Sequence, residues 1–156
     1  MFVKNEGAIT NVILDRVTVE GTSSVGAFCG ENKGELRELT VDNSDAAKMP
    51  STVSGKTDVG GIVGKDAGSK DMRYKNLVNR AAVSGVTYVG GIIGQLTVTE
   101  EKSGLIEWSK NYGAVEAAPI DDGNDQKLLA EAKYIGGIVG FCNNETGDKK
   151  KLSVNN

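Results

Sequence analysis

The chain has 156 residues, of which 38% are hydrophobic, 5% are aromatic and 21 are glycine, and its formal net charge is −3. The near balance of charges argues against nucleic acid as a partner, and no apolar run approaches the roughly 20 residues that cross a membrane. We therefore expect neither nucleic acid binding nor membrane insertion. Because the sequence contains no histidine, histidine-based catalytic triads and histidine metal sites are excluded.

Four related hexapeptides divide the chain into repeats. They are VGAFCG at 25–30, VGGIVG at 59–64, VGGIIG at 89–94 and IGGIVG at 135–140, and their first residues lie 34, 30 and 46 positions apart. A second element precedes each of them, namely VEG at 19–21, VSG at 53–55, VSG at 83–85 and VEA at 115–117. The distance between the two elements is the same in three repeats. In the fourth it is about 14 residues longer, which predicts an insertion at about 118–134.

The stretches around the hexapeptides read as short strands and polar turns rather than helices. Alternation is clear in RVTVEG at 16–21, and β-branched residues dominate TYVGGIIG at 87–94. Both patterns are typical of strands. Two segments resemble one another: KNEGAITNV at 4–12 follows Phe2-Val3, and ENKGELREL at 31–39 follows the first hexapeptide. The chain closes with a comparable NNETG at 143–147. The chain thus begins and ends at about the same phase of the repeat.

These elements predict an all-β fold, a parallel β-helix or β-solenoid of about four to five coils with about 30–34 residues per coil. A β-sandwich, a barrel and a propeller are the alternatives, and the absence of Asn-Gly hairpin turns counts against them. We expect residues 1–156 to form a single repeat domain. Because neither end shows a polar capping unit, we also expect this domain to be a segment of a longer protein.

The glycines of the hexapeptides are predicted to be structural. A strand interior disfavours glycine, so its recurrence indicates a bend, a bulge or a close backbone approach. No strand-to-helix turn follows, so packing is favoured over a phosphate cradle. The flanking residues Val59, Ile62, Val89, Ile92, Ile135 and Ile138, or the alternate set, are expected to point inwards. The structural glycines are Gly26, Gly60, Gly61, Gly90, Gly91, Gly136 and Gly137.

The hexapeptide VGGIVG, with N-x-G and V-S-G elements, resembles the GLUG motif repeat over nearly the whole chain. The first repeat departs from the motif at Ala27, Phe28 and Cys29, and the Cys-Tyr step often seen after the Asn is missing. Such repeats occur in bacterial surface proteins, including the region preceding the protease domain of immunoglobulin A-cleaving metallopeptidases, and in secreted Bacteroidetes proteins. The resemblance implies an extracellular or cell-surface location, an adhesin-like role and no catalytic residues.

The two cysteines, Cys29 and Cys142, are assigned to the same phase of the first and fourth repeats. Stacked coils would then separate them by three inter-strand steps, about 14 Å. A disulfide requires Cα atoms within about 7 Å. We therefore predict two buried thiols that form no disulfide and pack as small apolar residues.

Candidate ligand-binding residues lie in the insertion and beside the hexapeptides. Asp121, Asp122 and Asp125 share one turn, and their oxygens suit Ca²⁺, but the spacing of an EF-hand is missing, so a solvated acidic turn is favoured and no metal is assigned. Tyr88 and Tyr134 directly precede two hexapeptides and are expected to cover glycines or to contact a ligand. The other aromatic residues with polar tips are Tyr74, Trp108 and Tyr112.

The function predicted from the sequence is a non-catalytic surface scaffold or adhesin-like module without a cofactor. Its expected partners are flanking coils of the parent protein and a glycan or host surface protein. The alternative is a fragment of a carbohydrate-active β-helix enzyme, a polysaccharide lyase or glycosidase, which would use paired carboxylates. The candidate pairs are Asp42 with Asp45, Asp66 with Asp71, and Glu100 with Glu101. All lie in polar, turn-like stretches, which favours the scaffold.

Overall fold

The computed structural model describes residues 2–45, 47–68, 72–98, 104–121, 127–128, 133–144 and 153–155. The described residues form an all-β fold without a helix, as predicted. The first pass of the chain comprises β1 (Phe2–Asn5), β2 (Ala8–Asp15), β3 (Thr18–Glu20) and β4 (Ser23–Gly26). The second comprises β5 (Cys29–Asn32), β6 (Glu35–Asp42), β7 (Thr52–Ser54) and β8 (Thr57–Gly60).

Later passes repeat this order. The third comprises β9 (Val63–Asp66), β10 (Met72–Asn79), β11 (Ala82–Gly85) and β12 (Thr87–Gly90). The fourth comprises β13 (Ile93–Val98), β14 (Gly104–Glu107), β15 (Lys110–Asn111), β16 (Val115–Ala117), β17 (Ile120–Asp121), β18 (Lys127–Leu128) and β19 (Lys133–Gly136). The strands β20 (Val139–Asn144) and β21 (Ser153–Asn155) follow.

The strands form four parallel sheets, and each full pass visits the sheets in the same order. The first sheet has the order β1-β5-β9-β13-β20, and the second has the order β2-β6-β10-β14-β21, with β15 also paired to β10. The third sheet has the order β16-β11-β7-β3, and the fourth has the order β19-β12-β8-β4. Only β17 and β18 pair antiparallel among the described strands. The all-β, parallel part of the predicted fold is therefore confirmed.

The sheet register matches the alignment of the two sequence elements. In the fourth sheet the first residues of the hexapeptides pair in succession, Val25 with Val59, Val59 with Val89, and Val89 with Ile135. In the third sheet the valines of the preceding element pair in the same way, Val19 with Val53, Val53 with Val83, and Val83 with Val115. The motifs recur because each sits directly beside its counterpart in the next pass.

The length of a pass varies more than the predicted 30–34 residues. In the first sheet, Phe2 pairs with Cys29, a step of 27 residues, which is shorter than predicted. The next partner is Val63, at the predicted spacing of 34 residues. In the short first pass the connection from the second to the third sheet is brief, because β2 ends at Asp15 and β3 begins at Thr18. In the second pass the corresponding connection runs from Asp42 to Thr52.

One apolar core lies between the sheets. Of the side chains expected to point inwards, Val59, Ile62, Val89 and Ile92 are fully buried. Ile138 is partly buried and packs against the core. Ile135 is 41% exposed, because its strand β19 lies at the edge of the fourth sheet. A narrow core of this kind is filled by β-branched residues and leucine, which explains the low aromatic content.

Candidate functional site

The strands of the second sheet share a regular interruption in the alternation of inward and outward side chains. In β10, Tyr74 and Leu77 are buried, whereas Lys75 and Asn76 between them are partly exposed. Two successive outward side chains are possible because Asn76 adopts a left-handed conformation, with φ 54°. Equivalent register positions have positive φ in all four passes, at Asn11, Glu38, Asn76 and Trp108. The fourth pass thus places a tryptophan where the others have a small or flexible polar residue.

Trp108 forms one end of a surface groove, and Tyr112 forms the other. Their side chains are 51% and 62% exposed, and the groove encloses about 600 Å³. Lys75 Nζ lies 4.6 Å from the centroid of the Trp108 ring, and the Arg80 guanidinium carbon lies 5.0 Å from that of Tyr112. Such cation–π contacts contribute about 0.5–1 kcal/mol each at an exposed site. The groove is lined by Asn76, Val78, Arg80, Trp108, Lys110 and Tyr112.

The groove is positively charged, although the whole chain has a net charge of −3. Arg80 and Lys110 line it, and its lining in the described part of the chain includes no carboxylate. The Arg80 Nε lies 3.7 Å from Asp42 Oδ1, and both side chains are partly exposed, so this ion pair is weak. Lys110 forms no ion pair with any described residue. The groove therefore presents cations and aromatic faces together.

The predicted aromatic pair lies on another surface. Tyr88 and Tyr134 have ring centroids 5.5 Å apart, and Phe141 stacks on Tyr88 at 4.6 Å and lies 4.9 Å from Tyr134. Both tyrosines have positive φ, as do Ser24 and Asp58 at the same register position of earlier passes. The three rings contact one another at the surface, where Tyr134 remains 55% exposed.

The hexapeptide glycines lie at the corner between the fourth and first sheets. A Cβ atom on Gly60, Gly90 or Gly136 would come within 2.0 Å of the carbonyl oxygen three residues later. On Gly26 it would lie 2.6 Å from two carbonyl oxygens. The next position is also tight at Gly61 and Gly91, where a Cβ would meet the backbone of the following pass and the side chain of Asn79 or Asn111, respectively. At Gly137 no described atom lies within 4 Å of the added Cβ.

The N-x-G elements form turns that the asparagine side chain closes. Asn32 Nδ2 donates to the carbonyl oxygen of Gly34 at 2.9 Å, and its Oδ1 accepts from the Gly34 N–H at 3.2 Å. Asn5 repeats this arrangement and donates to Asn32 Oδ1 at 2.7 Å. Asn32 also donates to the hydroxyl of the fully buried Tyr74 at 3.2 Å, and burial raises the pKa of that phenol. The asparagine of the N-x-G motif therefore closes its own turn and forms a hydrogen bond to the next pass.

The two cysteines differ in position and burial. In the first sheet Cys29 pairs with Val63, whereas Cys142 pairs with Leu96, so the prediction of a common phase is wrong. The error arose because Cys142 lies two residues beyond its hexapeptide. Neither forms a disulfide. Cys29 is buried, and burial raises the pKa of its thiol to about 12. Cys142 is only partly buried, against the prediction.

The acidic candidates are scattered. Asp121 ends β17, whereas Asp122 and Asp125 lie outside the described residues, as do Asp71, Glu100 and Glu101. Asp42 contacts Arg80, and Asp45 lies 3.7 Å from Lys48. Asp66 is fully buried and accepts a hydrogen bond from the Gly68 N–H at 3.0 Å, so it closes a turn as the asparagines do. Within the described part of the chain, no group of three or more Cys, Asp or Glu could hold a metal ion.

The sequence does not predict the groove, although it marks Trp108 and Tyr112 among the aromatic residues with polar tips. Their spacing of four residues carries no signal by itself. The groove depends on Lys75 and Arg80, which the register of the second sheet brings beside them from the preceding pass.

Comparison with protein-family models, with curated proteins and with solved structures gave no match. Among the described residues, no helix has the length and apolar character needed to cross a membrane. Any functional assignment therefore depends on the chain's own geometry.

Proposed function

We propose that this chain is a parallel β-solenoid and serves as a non-catalytic scaffold or adhesin-like module on a bacterial surface. The observation that carries the proposal is the repeated order of the sheets. Each full pass adds strand structure to each of the four parallel sheets, paired in register with the pass before. Stacked coils of this kind extend in one direction and present long, regular faces, which suits display rather than chemistry.

The use of the polar residues supports a scaffold. The side chains of Asn5, Asn32 and Asp66 bond to turn backbone two residues on, and Ser51 Oγ donates to the carbonyl oxygen of Asp42. These groups satisfy buried backbone and are therefore unavailable for acid–base chemistry. The resemblance of VGGIVG and its neighbours to GLUG repeats supports an extracellular or cell-surface location.

The first pass supports flanking coils as partners. Phe2 is 56% exposed and Val3 is 86% exposed. A surface hollow of about 420 Å³ beside them is lined by apolar side chains, including those of Ile9, Val12 and Leu14. Strands at the edge of a sheet present unpaired backbone groups that accept another strand. A further parallel coil would pair with these groups and cover the apolar side chains.

Surface display is tested by antibody labelling. An antibody raised against the purified chain is expected to stain intact cells that carry the gene, whereas an antibody against a cytosolic enzyme should stain only permeabilised cells. Staining by the first antibody only after permeabilisation would contradict the proposal.

The enzyme alternative is tested separately. The purified chain is incubated with acidic and neutral polysaccharides, and new reducing ends or unsaturated products are measured. We expect no turnover. Turnover that a single Asp→Asn substitution abolishes would replace the scaffold with the carbohydrate-active enzyme.

A further inference from the structure

We propose that the groove between Trp108 and Tyr112 binds an anionic saccharide, a glycan chain that carries uronate or sulfate groups. This inference rests on the proposed scaffold function and extends it, because it names the ligand that one outward face of the scaffold binds. The groove lies on the second sheet, whereas the Tyr88 cluster joins strands of the fourth and first sheets.

The first argument is the shape of the groove. It encloses about 600 Å³ and is open to solvent, with half-exposed aromatic rings at both ends. Trp108 and Tyr112 are four residues apart in an extended chain, so they stand at most about 13 Å apart along the sheet. A short oligosaccharide spans that length. Its apolar ring faces can stack on the two aromatic rings, as sugar rings do on exposed tryptophan and tyrosine.

The second argument is the backbone at Trp108. Its φ of 48° lies in the left-handed region, which a bulky residue rarely adopts. Asn11 and Asn76 hold the same position in other passes, and asparagine accepts this conformation readily. Folding alone would therefore favour asparagine here. The strain alone does not mark a site, because Tyr88 and Tyr134 share it, but together with a half-exposed ring beside a groove it supports a role in binding.

The third argument is charge. Arg80 and Lys110 line the groove, and Lys75 Nζ lies 4.6 Å from the centroid of the Trp108 ring. The described lining contains no carboxylate to neutralise them. The Asn76 side chain adds an amide that can bond to hydroxyl groups. Cations, an amide and two apolar faces together match a charged sugar. An acidic peptide matches the cations, but it does not use the paired aromatic faces.

The test is isothermal titration calorimetry of the intact chain with three hexasaccharides. Oligogalacturonate carries uronate, a heparin hexasaccharide carries sulfate, and cellohexaose is the neutral control. We expect binding of at least one anionic hexasaccharide, at least tenfold tighter than binding of cellohexaose. The stronger anionic ligand identifies the preferred charged group. Equal binding of cellohexaose, or no binding of either anionic probe, would overturn the proposal.

Matched variants locate the site. Trp108→Asn is expected to weaken binding at least tenfold while keeping or raising the melting temperature, since asparagine fills this position in two of the other three passes, at Asn11 and Asn76. Lys110→Ala should weaken binding and flatten its salt dependence. Tyr134→Ser, which introduces the residue type of Ser24 at the equivalent position of the first pass, should leave binding unchanged. A Trp108→Asn chain that binds as tightly as the parent would overturn the proposal.

Polyglutamate of matched charge separates a saccharide site from a simple cationic patch. We expect it to bind more weakly than the preferred hexasaccharide and without dependence on Trp108. Binding of equal strength would show that charge alone is recognised and would overturn the saccharide assignment. The labelling of intact cells is independent of all these outcomes, so failure of the saccharide site and failure of surface display are distinguishable.

Discussion

At the corner between the fourth and first sheets, the Cα of Gly90 faces backbone atoms of its own turn and of the next pass. An added Cβ would lie 1.9 Å from the Ile93 carbonyl oxygen and 2.6 Å from the Gly140 nitrogen. Both are backbone atoms, so no side-chain rotation can relieve the clash. The residue is glycine because the corner is closed too tightly for any side chain, and its neighbours in other passes, Gly60 and Gly136, share that constraint.

Gly90→Ala is therefore expected to destabilise the fold by about 3 kcal/mol or more, or to prevent folding. Gly137→Ala is the matched control from the same motif, because its Cβ would meet no described atom within 4 Å. Ala27 already occupies the equivalent position in the first pass. We expect the control to change stability by less than about 0.5 kcal/mol. Urea unfolding followed by circular dichroism measures both, and similar losses in the two variants would contradict the explanation.

Asp58 occupies the left-handed position that Tyr88 holds in the next pass. Its Oδ1 is buried and accepts no hydrogen bond from the residues that the structure describes. Burial raises the pKa of this carboxyl, Lys65 opposes the shift, and Glu31 adds to it. The folded state thus disfavours the ionised form. This group's contribution to stability is complete below the unfolded pKa, about 3.9, and is lost as the pH rises through the folded pKa.

Asp58→Asn removes the charge and keeps the shape. We expect it to raise the melting temperature by a few degrees at pH 7, and to give little difference from the parent near pH 3, where both side chains are neutral. Thermal melts followed by circular dichroism at several pH values measure the gap. Asp45→Asn, at an exposed ion pair, is the control and should show no such rise. A gap that shrinks towards neutral pH would rule out the burial argument.

At the scale of the element, the polar ladders determine how strands turn from one sheet to the next. Asn79 is fully buried, and its Nδ2 donates to the Ala81 carbonyl oxygen and to Asn111 Oδ1, both at 2.9 Å. Its Oδ1 accepts from the Ala81 N–H at 3.1 Å. Asn111 closes the turn at Gly113 in the same way. Each asparagine therefore satisfies its own turn, and Asn79 also bonds to the next pass.

Asn79→Ala leaves the buried Ala81 N–H without its partner and opens a small cavity. We expect a loss of about 2–4 kcal/mol, the sum of an unsatisfied buried group and lost packing. Asn111→Ala removes the equivalent bonds from a half-exposed turn, where water replaces them, and should lose about 1 kcal/mol. Urea midpoints and slopes of the two variants give the comparison. An Asn111 variant as unstable as the Asn79 variant would contradict the role assigned to burial.

The elements also show where sequence reasoning succeeds and fails. The pairing of Val59 with Val89 followed from aligned motifs, because parallel in-register strands place identical residues side by side. The phase of Cys142 did not, because it lies beyond the motif on which the alignment was built. The equivalent left-handed positions, such as Asn76 and Trp108, hold different residue types. Pairing with the neighbouring strands imposes this backbone conformation on whichever residue lies there. Local propensity cannot reveal a conformation that tertiary pairing enforces.

At the scale of the whole molecule, the candidate site could not be predicted. The sequence directed attention to Tyr88 and Tyr134, which pack together with Phe141. The groove joins residues of the third and fourth passes, and nothing in the local sequence links Arg80 to Tyr112. Their contact at 5.0 Å follows from the parallel register of β10 and β15.

The sequence by itself determined the all-β class, the recurrence of the passes and the register of the third and fourth sheets. It could do so because repeated strands in register leave repeated residues in the chain. Only the tertiary structure decided the different phases of Cys29 and Cys142 and the cationic aromatic groove at Trp108. These features arise where the passes differ from one another, and side chains far apart in the chain meet there only after the strands have paired.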